Sequence, residues 1–214
     1  MATYNLEDQE KIDSLKSWWD TYGTWTVIIV SVFIASFAGS QGWKYYQQQQ
    51  RMQAADLYVL LQQVQQSEDV MKINDAAYLL MEGYPSSGYA PRAALIAARA
   101  NVDAGEIKKA KENLQWVLNN AKEIELKDLV RLRLASLLLD EKNYNEALKT
   151  LDTRHSEAFA GLYADLKGDI YVAAGQNQEA QLAYQAAIDL LGTNSNYYNI
   201  VQMKLDALGE VSKS

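Results

Sequence analysis

The sequence predicts an all-α protein with one N-terminal transmembrane helix followed by an α-solenoid of stacked helical hairpins. Four observations support this prediction. Pro85 and Pro91 are the only prolines in 214 residues, so almost nothing interrupts helices elsewhere. One long uncharged segment lies near the N-terminus, and a pattern of small and aromatic residues recurs toward the C-terminus. The hydrophobic fraction of 49% is enough for a packed domain in addition to the membrane segment.

The predicted transmembrane helix covers residues 21–43, none of which is charged. As an α-helix, a segment of this length rises about 35 Å, which is enough to cross a hydrocarbon core of about 30 Å. Aromatic residues gather at both ends, where amphipathic rings favour the headgroup layer. They are Trp18, Trp19, Tyr22 and Trp25 at one end and Trp43, Tyr45 and Tyr46 at the other. The chain therefore divides into a tail of residues 1–20, the span, and a folded domain of residues 44–214.

Two alternatives stay open for the uncharged segment. Ser36, Phe37 and Ala38 before Gly39 resemble the small-x-small site at which a signal peptide is cleaved. A signal peptide begins with a short basic stretch, however, whereas residues 1–20 contain five acidic residues and two lysines. The second alternative is a buried core helix, although such a helix rarely has aromatic residues at both ends and no charge between them.

The charges beside the span do not decide its orientation. Lys11 and Lys16 lie on one side, and Lys44 and Arg51 lie on the other, so the positive-inside rule gives a tie. The short tail with its free amino terminus favours a cytoplasmic N-terminus.

A stripe of small residues predicts a packing face on the span. Ser31, Ala35 and Gly39 recur every four residues, so they share one side of the helix and let a second helix approach closely. The alternative explanation is that small residues are common in spanning helices generally.

A repeated pattern after the span predicts the helical hairpins. Its clearest copy has spacings of 3, 9, 4 and 3. These spacings match the tetratricopeptide unit, in which small residues let two antiparallel helices close and aromatic residues fill the layer between them. The clearest copy consists of Gly168, Tyr171, Ala180, Tyr184 and Ala187, and weaker copies consist of Ala135, Leu138, Ala147 and Leu151 and of Ala98, Ala110, Leu114 and Val117.

Turns and end units complete the predicted domain. Turn residues fall between the helices of each pair, at 103–105, 141–143 and 174–176. Residues 47–66 and 70–83 predict one more pair without the small residues, and residues 195–208 predict a terminal helix. The alternative is an ordinary helical bundle.

The residues give no support for an enzyme, and we predict no cofactor, metal or nucleic-acid site. Cysteine is absent and His155, which we place in a surface loop, is the only histidine. The net charge is -7 without a basic block, and no glycine-rich phosphate loop occurs. Carboxylates lie beside lysines on helix faces, as at residues 106–109. A hydrolase among these helices would need a perturbed carboxylate pair in a deep pocket.

The predicted binding surface is a groove lined by the first helix of each pair. Its mixed polar and apolar lining suits an extended peptide or a partner helix better than a small molecule. Leu132 and Leu139 are equally compatible with the core. The groove residues are Arg92, Leu95, Arg99, Val102, Leu132, Ser136, Leu139, Leu162, Asp165, Asp169 and Val172.

Several passages of the chain resemble one known family. Near the membrane they are Glu7-Asp8-Gln9, Leu15-Lys16 with Trp18-Trp19, and Gly42-Trp43-Lys44-Tyr45. In the repeat domain they are residues 132–135, 147–152, 164–169 and 202–205. With these passages the chain resembles the YfgM family, the ancillary subunit of the SecYEG translocon in Gram-negative bacteria.

The resemblance implies an inner-membrane protein with a cytoplasmic N-terminus and a periplasmic repeat domain. It implies association with translocon subunits and with a membrane-anchored periplasmic prolyl isomerase. It also implies that unfolded or newly translocated proteins pass along the domain toward periplasmic folding factors. The leading hypothesis is thus a chaperone-like adaptor at the translocation channel. The alternative is an envelope stress-response regulator that acts through the cytoplasmic tail.

Overall fold

The protein is helical throughout the part that the computed structural model describes, residues 3–192 and 195–211. These residues form nine α-helices and no β-strand, which confirms the all-α prediction. The helices are α1 (Thr3–Gln65), α2 (Val70–Gly83), α3 (Tyr89–Asp103), α4 (Ile107–Asn120), α5 (Ile124–Asp140), α6 (Tyr144–Leu151), α7 (Glu157–Ala173), α8 (Asn177–Leu191) and α9 (Tyr198–Val211).

The chain divides into two compact units, residues 1–52 and residues 53–214. A separate helix was predicted to begin at residue 47, and that prediction was wrong, because α1 continues without a break from Thr3 to Gln65. The physical reason is local. Residues 43–52 contain no glycine or proline, and their glutamines and lysine are good helix formers, so nothing ends the helix after the uncharged segment.

The N-terminal part of α1 is long and apolar enough to cross a membrane. It is the one such helix among the described residues. Its most apolar 18-residue window has a mean hydropathy of 1.7, and 6% of that window is buried. Phe33, for example, is 72% exposed and Ile34 is 61% exposed. A core helix would bury these side chains, so their exposure contradicts the alternative of a buried core helix.

The second unit contains the predicted helical hairpins, and the repeat residues lie between their helices. α3 packs on α4, α5 on α6 and α7 on α8. The repeat residues that the structure buries are Ala98, Ala110, Leu114, Val117, Ala135, Ala147, Leu151, Gly168, Ala180, Tyr184 and Ala187. Gly168 shows why small residues are needed, because a Cβ atom at this position would overlap the ring of Tyr184.

The three turns inside the hairpins have the same geometry. Gly105, Lys142 and Gly175 have φ values of 75°, 60° and 76°. In each turn the next N–H donates to the carbonyl five residues earlier, with N–O distances of 2.7, 2.8 and 2.8 Å. This pattern is the Schellman motif that ends many helices with a residue in the left-handed region. The turns therefore confirm the predicted phase of the three repeats.

The end units flank this stack. α2 packs against α3, and the second half of α1 contributes Ala54 and Leu61 to the same core cluster. Residues 70–83 form a helix as predicted. The terminal helix α9 begins at Tyr198 rather than at residue 195, and it buries Val201 and Leu208 against α8.

Candidate partner-binding surface

The predicted groove residues lie on the first helices of the three hairpins, α3, α5 and α7. Only some of them are exposed. Arg92, Arg99, Ser136 and Val172 are exposed, Leu95, Val102, Leu132, Leu139, Leu162 and Asp169 are half-buried, and Asp165 is buried. The structure therefore places the predicted residues on the first helices of three successive hairpins, but their accessible part is more polar than the sequence predicted.

Two guanidinium groups dominate the α3 end of the surface. Arg92 Nη2 lies 3.1 Å from Glu123 Oε2, next to the start of α5. Arg99 Nε donates to Asp103 Oδ2 at 2.8 Å, within α3. Exposed ion pairs of this kind contribute at most about 1 kcal/mol each, so either arginine can exchange its partner for a ligand carboxylate at small cost.

The half-buried groove residues belong partly to the core. Leu95 and Val102 pack against the core cluster of α2, α3 and α4, whereas Leu132 and Leu139 pack against the cluster of α5, α6 and α7. The Ser136 hydroxyl donates to the Leu132 carbonyl of the same helix at 3.0 Å. The leucines therefore stabilise the stack, and each offers only an edge to a partner.

The α7 end of the predicted groove is occupied by the chain itself. Lys204 of α9 donates to both carboxylate oxygens of Asp165, at 2.8 and 3.0 Å, and to Asp169 Oδ2 at 2.9 Å. Tyr197 Oη donates to Asp165 Oδ2 at 2.8 Å, and Tyr184 Oη donates to Asp169 Oδ1 at 2.7 Å. Asp165 is 3% exposed, so it does not line an accessible surface. The two carboxylates attach α9 to α7, and they give the hydrolase hypothesis no support.

The protonated forms of Tyr184, Tyr197 and Lys204 keep Asp165 and Asp169 hydrogen-bonded at neutral pH. Burial, with a further contribution from Asp165, raises the pKa of Tyr197 to about 12. Burial and the hydrogen bond to Asp169 raise the pKa of Tyr184 as well. Burial by itself lowers the pKa of Lys204, but the hydrogen bonds to Asp165 and Asp169 outweigh it and leave that pKa raised. Both tyrosines therefore remain donors and Lys204 remains charged.

A second buried polar cluster, around Asp128, was not predicted. Asp128 is fully buried, and its carboxylate accepts from Arg131 Nη1 and from the backbone N–H of Ser156, each at 2.9 Å. Tyr163 Oη donates to the Asp128 carbonyl at 3.1 Å. The cluster joins α5 to the start of α7. The spacing of Asp128 and Arg131, three residues apart on one helix, was the only sequence signal.

His155 lies in the loop between α6 and α7, as predicted, but it is half-buried and not on the surface. Its ring centroid lies 4.3 Å from that of Tyr163. The reason is the Asp128 cluster, which holds the adjacent Ser156 backbone against α5.

The predicted membrane packing face remains a prediction. Ser31, Ala35 and Gly39 are exposed on α1, and a Cβ atom at Gly39 would meet nothing within 4 Å.

Among the side chains that the structure describes, no three His, Asp or Glu residues lie close enough together to bind a metal ion.

Comparison with known proteins identifies the family. The family model described as "Tetratricopeptide repeat-like domain" matches residues 16–210. A protein of Neisseria gonorrhoeae named "Ancillary SecYEG translocon subunit" is 34% identical over 208 residues, which cover 95% of this chain and 98% of that protein. The chain belongs to the YfgM family.

Two further relatives have the same name. The Haemophilus influenzae protein is 30% identical over 188 residues, which cover 86% of this chain and 90% of that protein. The Escherichia coli protein is 35% identical over 120 residues, which cover 56% of this chain and 58% of that protein. The family match begins in the tail, so it spans the uncharged part of α1 as well as the hairpins.

In this YfgM-family chain the accessible part of the first-helix surface combines charged side chains with small apolar edges. Exposed arginines are able to bind carboxylates and backbone carbonyls, and the half-buried leucine edges offer small apolar contacts. These are the groups that an extended segment or a helix of another protein needs.

Proposed function

We propose that this protein is a membrane-anchored, non-catalytic adaptor that associates with the protein-translocation channel. The observation that carries the proposal is the 34% identity over 95% of the chain to a relative named an ancillary SecYEG translocon subunit. The exposed apolar part of α1 supports a membrane anchor, and the hairpin domain supports protein binding.

In this proposal the tail of residues 1–20 is cytoplasmic and residues 44–214 are periplasmic, in the inner membrane. The exposed groove residues then contact unfolded or newly translocated proteins and a membrane-anchored prolyl isomerase, and so pass clients to periplasmic folding factors. Arg92 and Arg99 supply charged contacts at one end, and Val172 supplies an apolar contact at the other.

The absence of cysteine allows a direct test of the orientation. Leu182, which is 73% exposed on α8, and Asp13, which is exposed in the tail, each accept a single introduced cysteine. We expect Leu182→Cys to react with a membrane-impermeant maleimide in intact spheroplasts and Asp13→Cys to react only after lysis. The reverse pattern would contradict a periplasmic domain.

Photocrosslinking within the membrane tests the translocon association. A benzophenone amino acid at Ala35 or Gly39 should capture translocon subunits, because the small stripe admits close helix approach. The matched control is Phe37, which lies about 200° around the helix from both positions. Failure of both stripe positions to capture a channel subunit would end the proposal.

The same crosslinker in the hairpin domain tests the groove. At Ser136, on the first-helix surface, it should capture the prolyl isomerase or a translocating chain. At Lys108, which is exposed on the second helix α4, it should not. Equal capture from the two positions would show that the groove is not the contact surface.

The alternative function, regulation of an envelope stress response, places the activity in the tail. Residues 10–20 are all exposed on α1 and include Glu10, Asp13 and Asp20, so they are available to a cytoplasmic partner. Deletion of residues 2–16, with the span retained, separates the two functions. Loss of stress signalling with intact channel association would favour regulation.

A further inference from the structure

The last turns of α1 and the helix α2 each expose large apolar side chains at the N-terminal end of the hairpin domain. We call these exposed sides of the two helices the α1–α2 edge. Solenoids usually end in units with a polar outer face, because no further repeat covers them. Exposed apolar patches mark interaction sites instead. The apolar residues of the edge are Val59, Leu60, Met71, Tyr78 and Leu79, which are 52%, 47%, 76%, 60% and 55% exposed.

These side chains are separate from the stripe with which α2 joins the core. Ile73, Ala77 and Leu80 are at most 3% exposed and belong to the same core cluster as Ala54 and Leu61 of α1. By the helical period, Met71 and Tyr78 lie on the side of α2 that faces away from these core residues. α2 is therefore apolar on two sides, and packing within the chain uses only one of them.

Neighbouring helices hold the rest of α2 in place, so the edge is a preformed surface. Asn74 and the buried Asn101 of α3 exchange two side-chain hydrogen bonds, at 2.8 and 2.9 Å. At the other end, Tyr84 Oη donates to Gln53 Oε1 of α1 at 3.1 Å. Rotation of α2 to bury Tyr78 would break the amide pair and expose Leu80.

The polar residues of the edge are acidic. Asp56, Asp75 and Glu82 are exposed between the apolar side chains. None of the three forms an ion pair with a lysine or arginine whose side chain the structure describes. Lys72, the nearest base on α2 in sequence, is paired with Asp69 at 3.1 Å. A second copy of the same edge would place carboxylates against carboxylates, whereas a basic partner would neutralise them.

We propose that the α1–α2 edge binds a basic amphipathic helix of another protein. Its apolar residues would lie on Met71, Tyr78 and Leu79, and its lysines or arginines would face Asp75 and Glu82. Met71 and Tyr78 lie two turns apart, about 10 Å along the axis, which matches the spacing of apolar residues seven apart on a helix that lies alongside. Tyrosine and methionine suit such a contact, because one is rigid and amphipathic and the other adapts to its partner.

A designed peptide tests the chemistry of this surface. The probe is a fluorescein-labelled helix of about three heptads, with leucine on one stripe and lysine elsewhere, and its matched counterpart has glutamate for lysine. Anisotropy is measured with the full chain in nanodiscs of zwitterionic lipid, and empty nanodiscs correct for binding to lipid. We expect the lysine peptide to bind at least about tenfold more tightly than the glutamate peptide, because only the former neutralises the edge.

Two pairs of substitutions locate the binding. Tyr78→Ala with Leu79→Ser should weaken the lysine peptide at least about tenfold, because it removes two exposed anchors. The matched control, Leu182→Ser with Leu190→Ser, removes side chains of α8 that are 73% and 58% exposed and should leave affinity unchanged. All four positions are on the surface, so thermal unfolding should confirm that both proteins are folded.

Charge reversal gives an independent result. Asp75→Lys with Glu82→Lys should weaken the lysine peptide and strengthen the glutamate peptide. The proposal would be overturned if the lysine peptide failed to bind or if both peptides bound equally. It would also be overturned if the Tyr78/Leu79 and Leu182/Leu190 double variants lost affinity for the lysine peptide alike. It would also be overturned if light scattering showed a dimer that Tyr78→Ala with Leu79→Ser dissociates, because the edge would then bind a second copy.

Discussion

Gly168 is the residue at which the α7–α8 hairpin depends most directly on the absence of a side chain. The ring of Tyr184 fills the space of a Cβ atom, and it is unable to move away freely because its hydroxyl donates to Asp169 at 2.7 Å. Alanine would therefore force the two helices apart, although it favours the helix itself by up to about 1 kcal/mol.

We predict that Gly168→Ala lowers the free energy of unfolding by about 1–3 kcal/mol. The measurement is urea unfolding of the full chain in detergent, followed by tryptophan fluorescence. Gly209→Ala in α9 is the control, because its Cβ atom would meet nothing within 4 Å. It should be neutral or stabilising. A Gly168→Ala protein as stable as the control would show that the close approach is not required.

Tyr163 makes the stability of the domain sensitive to alkaline pH. Burial, followed by the charge of Asp128, raises its pKa from 10.0 to about 12. The unfolded chain releases this proton first, so the contribution of Tyr163 is complete below pH 10 and is lost as the pH rises to about 12.

We expect the wild-type protein to lose stability between pH 10 and pH 12 more steeply than Tyr163→Phe, by at most about 1.4 kcal/mol per pH unit. Urea midpoints across this range give the two slopes. Leu151→Val, in the same core cluster, keeps the tyrosine and should retain the wild-type slope. Parallel slopes for Tyr163→Phe and wild type would contradict the assignment.

Among the groove residues, the sequence identified positions but not their surroundings. The repeat register placed Asp165 and Asp169 on α7 correctly, because the helical period follows from local spacing. It did not show that Lys204 binds both carboxylates, since this contact joins residues 35 and 39 positions apart. The Asp128 cluster was not predicted for the same reason, because the Ser156 backbone that Asp128 binds is 28 residues away.

At the scale of single elements, the three hairpin turns differ in how well their residues suit the backbone. Gly105 and Gly175 have positive φ values without strain, whereas Lys142 has a φ of 60° with a side chain. A non-glycine residue in the left-handed region costs about 1–2 kcal/mol. The backbone of the middle turn is therefore the most strained of the three.

We predict that Lys142→Gly stabilises the protein by about 0.5–1 kcal/mol, since relief of strain exceeds the added flexibility of the unfolded chain. Gly175→Ala, the converse change in an equivalent turn, should destabilise it by about 1 kcal/mol. Thermal unfolding of both variants measures the effects. A loss of stability in Lys142→Gly would indicate that the lysine side chain contributes more than its backbone strain costs.

Helix boundaries were predictable where the sequence contains a local signal. α2 ends at Gly83 shortly before Pro85, and the turns at residues 105 and 175 contain glycine, so these ends followed from the residues themselves. The continuity of α1 was harder to predict. The change from apolar to polar residues near residue 44 resembles a boundary, but polarity alone does not end a helix.

At the scale of the whole molecule, the exposed apolar part of α1 requires a bilayer or a partner. Val30 and Phe33 lie near the middle of residues 21–43 and are 49% and 72% exposed. An arginine at the centre of a spanning helix costs about 2.5–3.5 kcal/mol on insertion scales.

We expect Val30→Arg with Phe33→Arg to move most of the protein out of the carbonate-resistant membrane fraction. Immunoblotting of the pellet and supernatant measures this change. Leu182→Arg with Leu190→Arg, which adds the same charge to exposed positions of α8, should remain in the membrane. Retention of both double variants would contradict a span at residues 21–43.

The properties that depend on neighbouring residues and on the helical period could be predicted from the amino-acid sequence. These are the uncharged segment long enough for a bilayer, the three hairpins with their small residues, and the family to which the chain belongs. Which surfaces remain open depends on how the helices pack. Lys204 closes the α7 end of the groove, and only one of the two apolar sides of α2 enters the core. Such choices depend on which helices pack together over long sequence separations, and the pattern of a single helix does not contain that information.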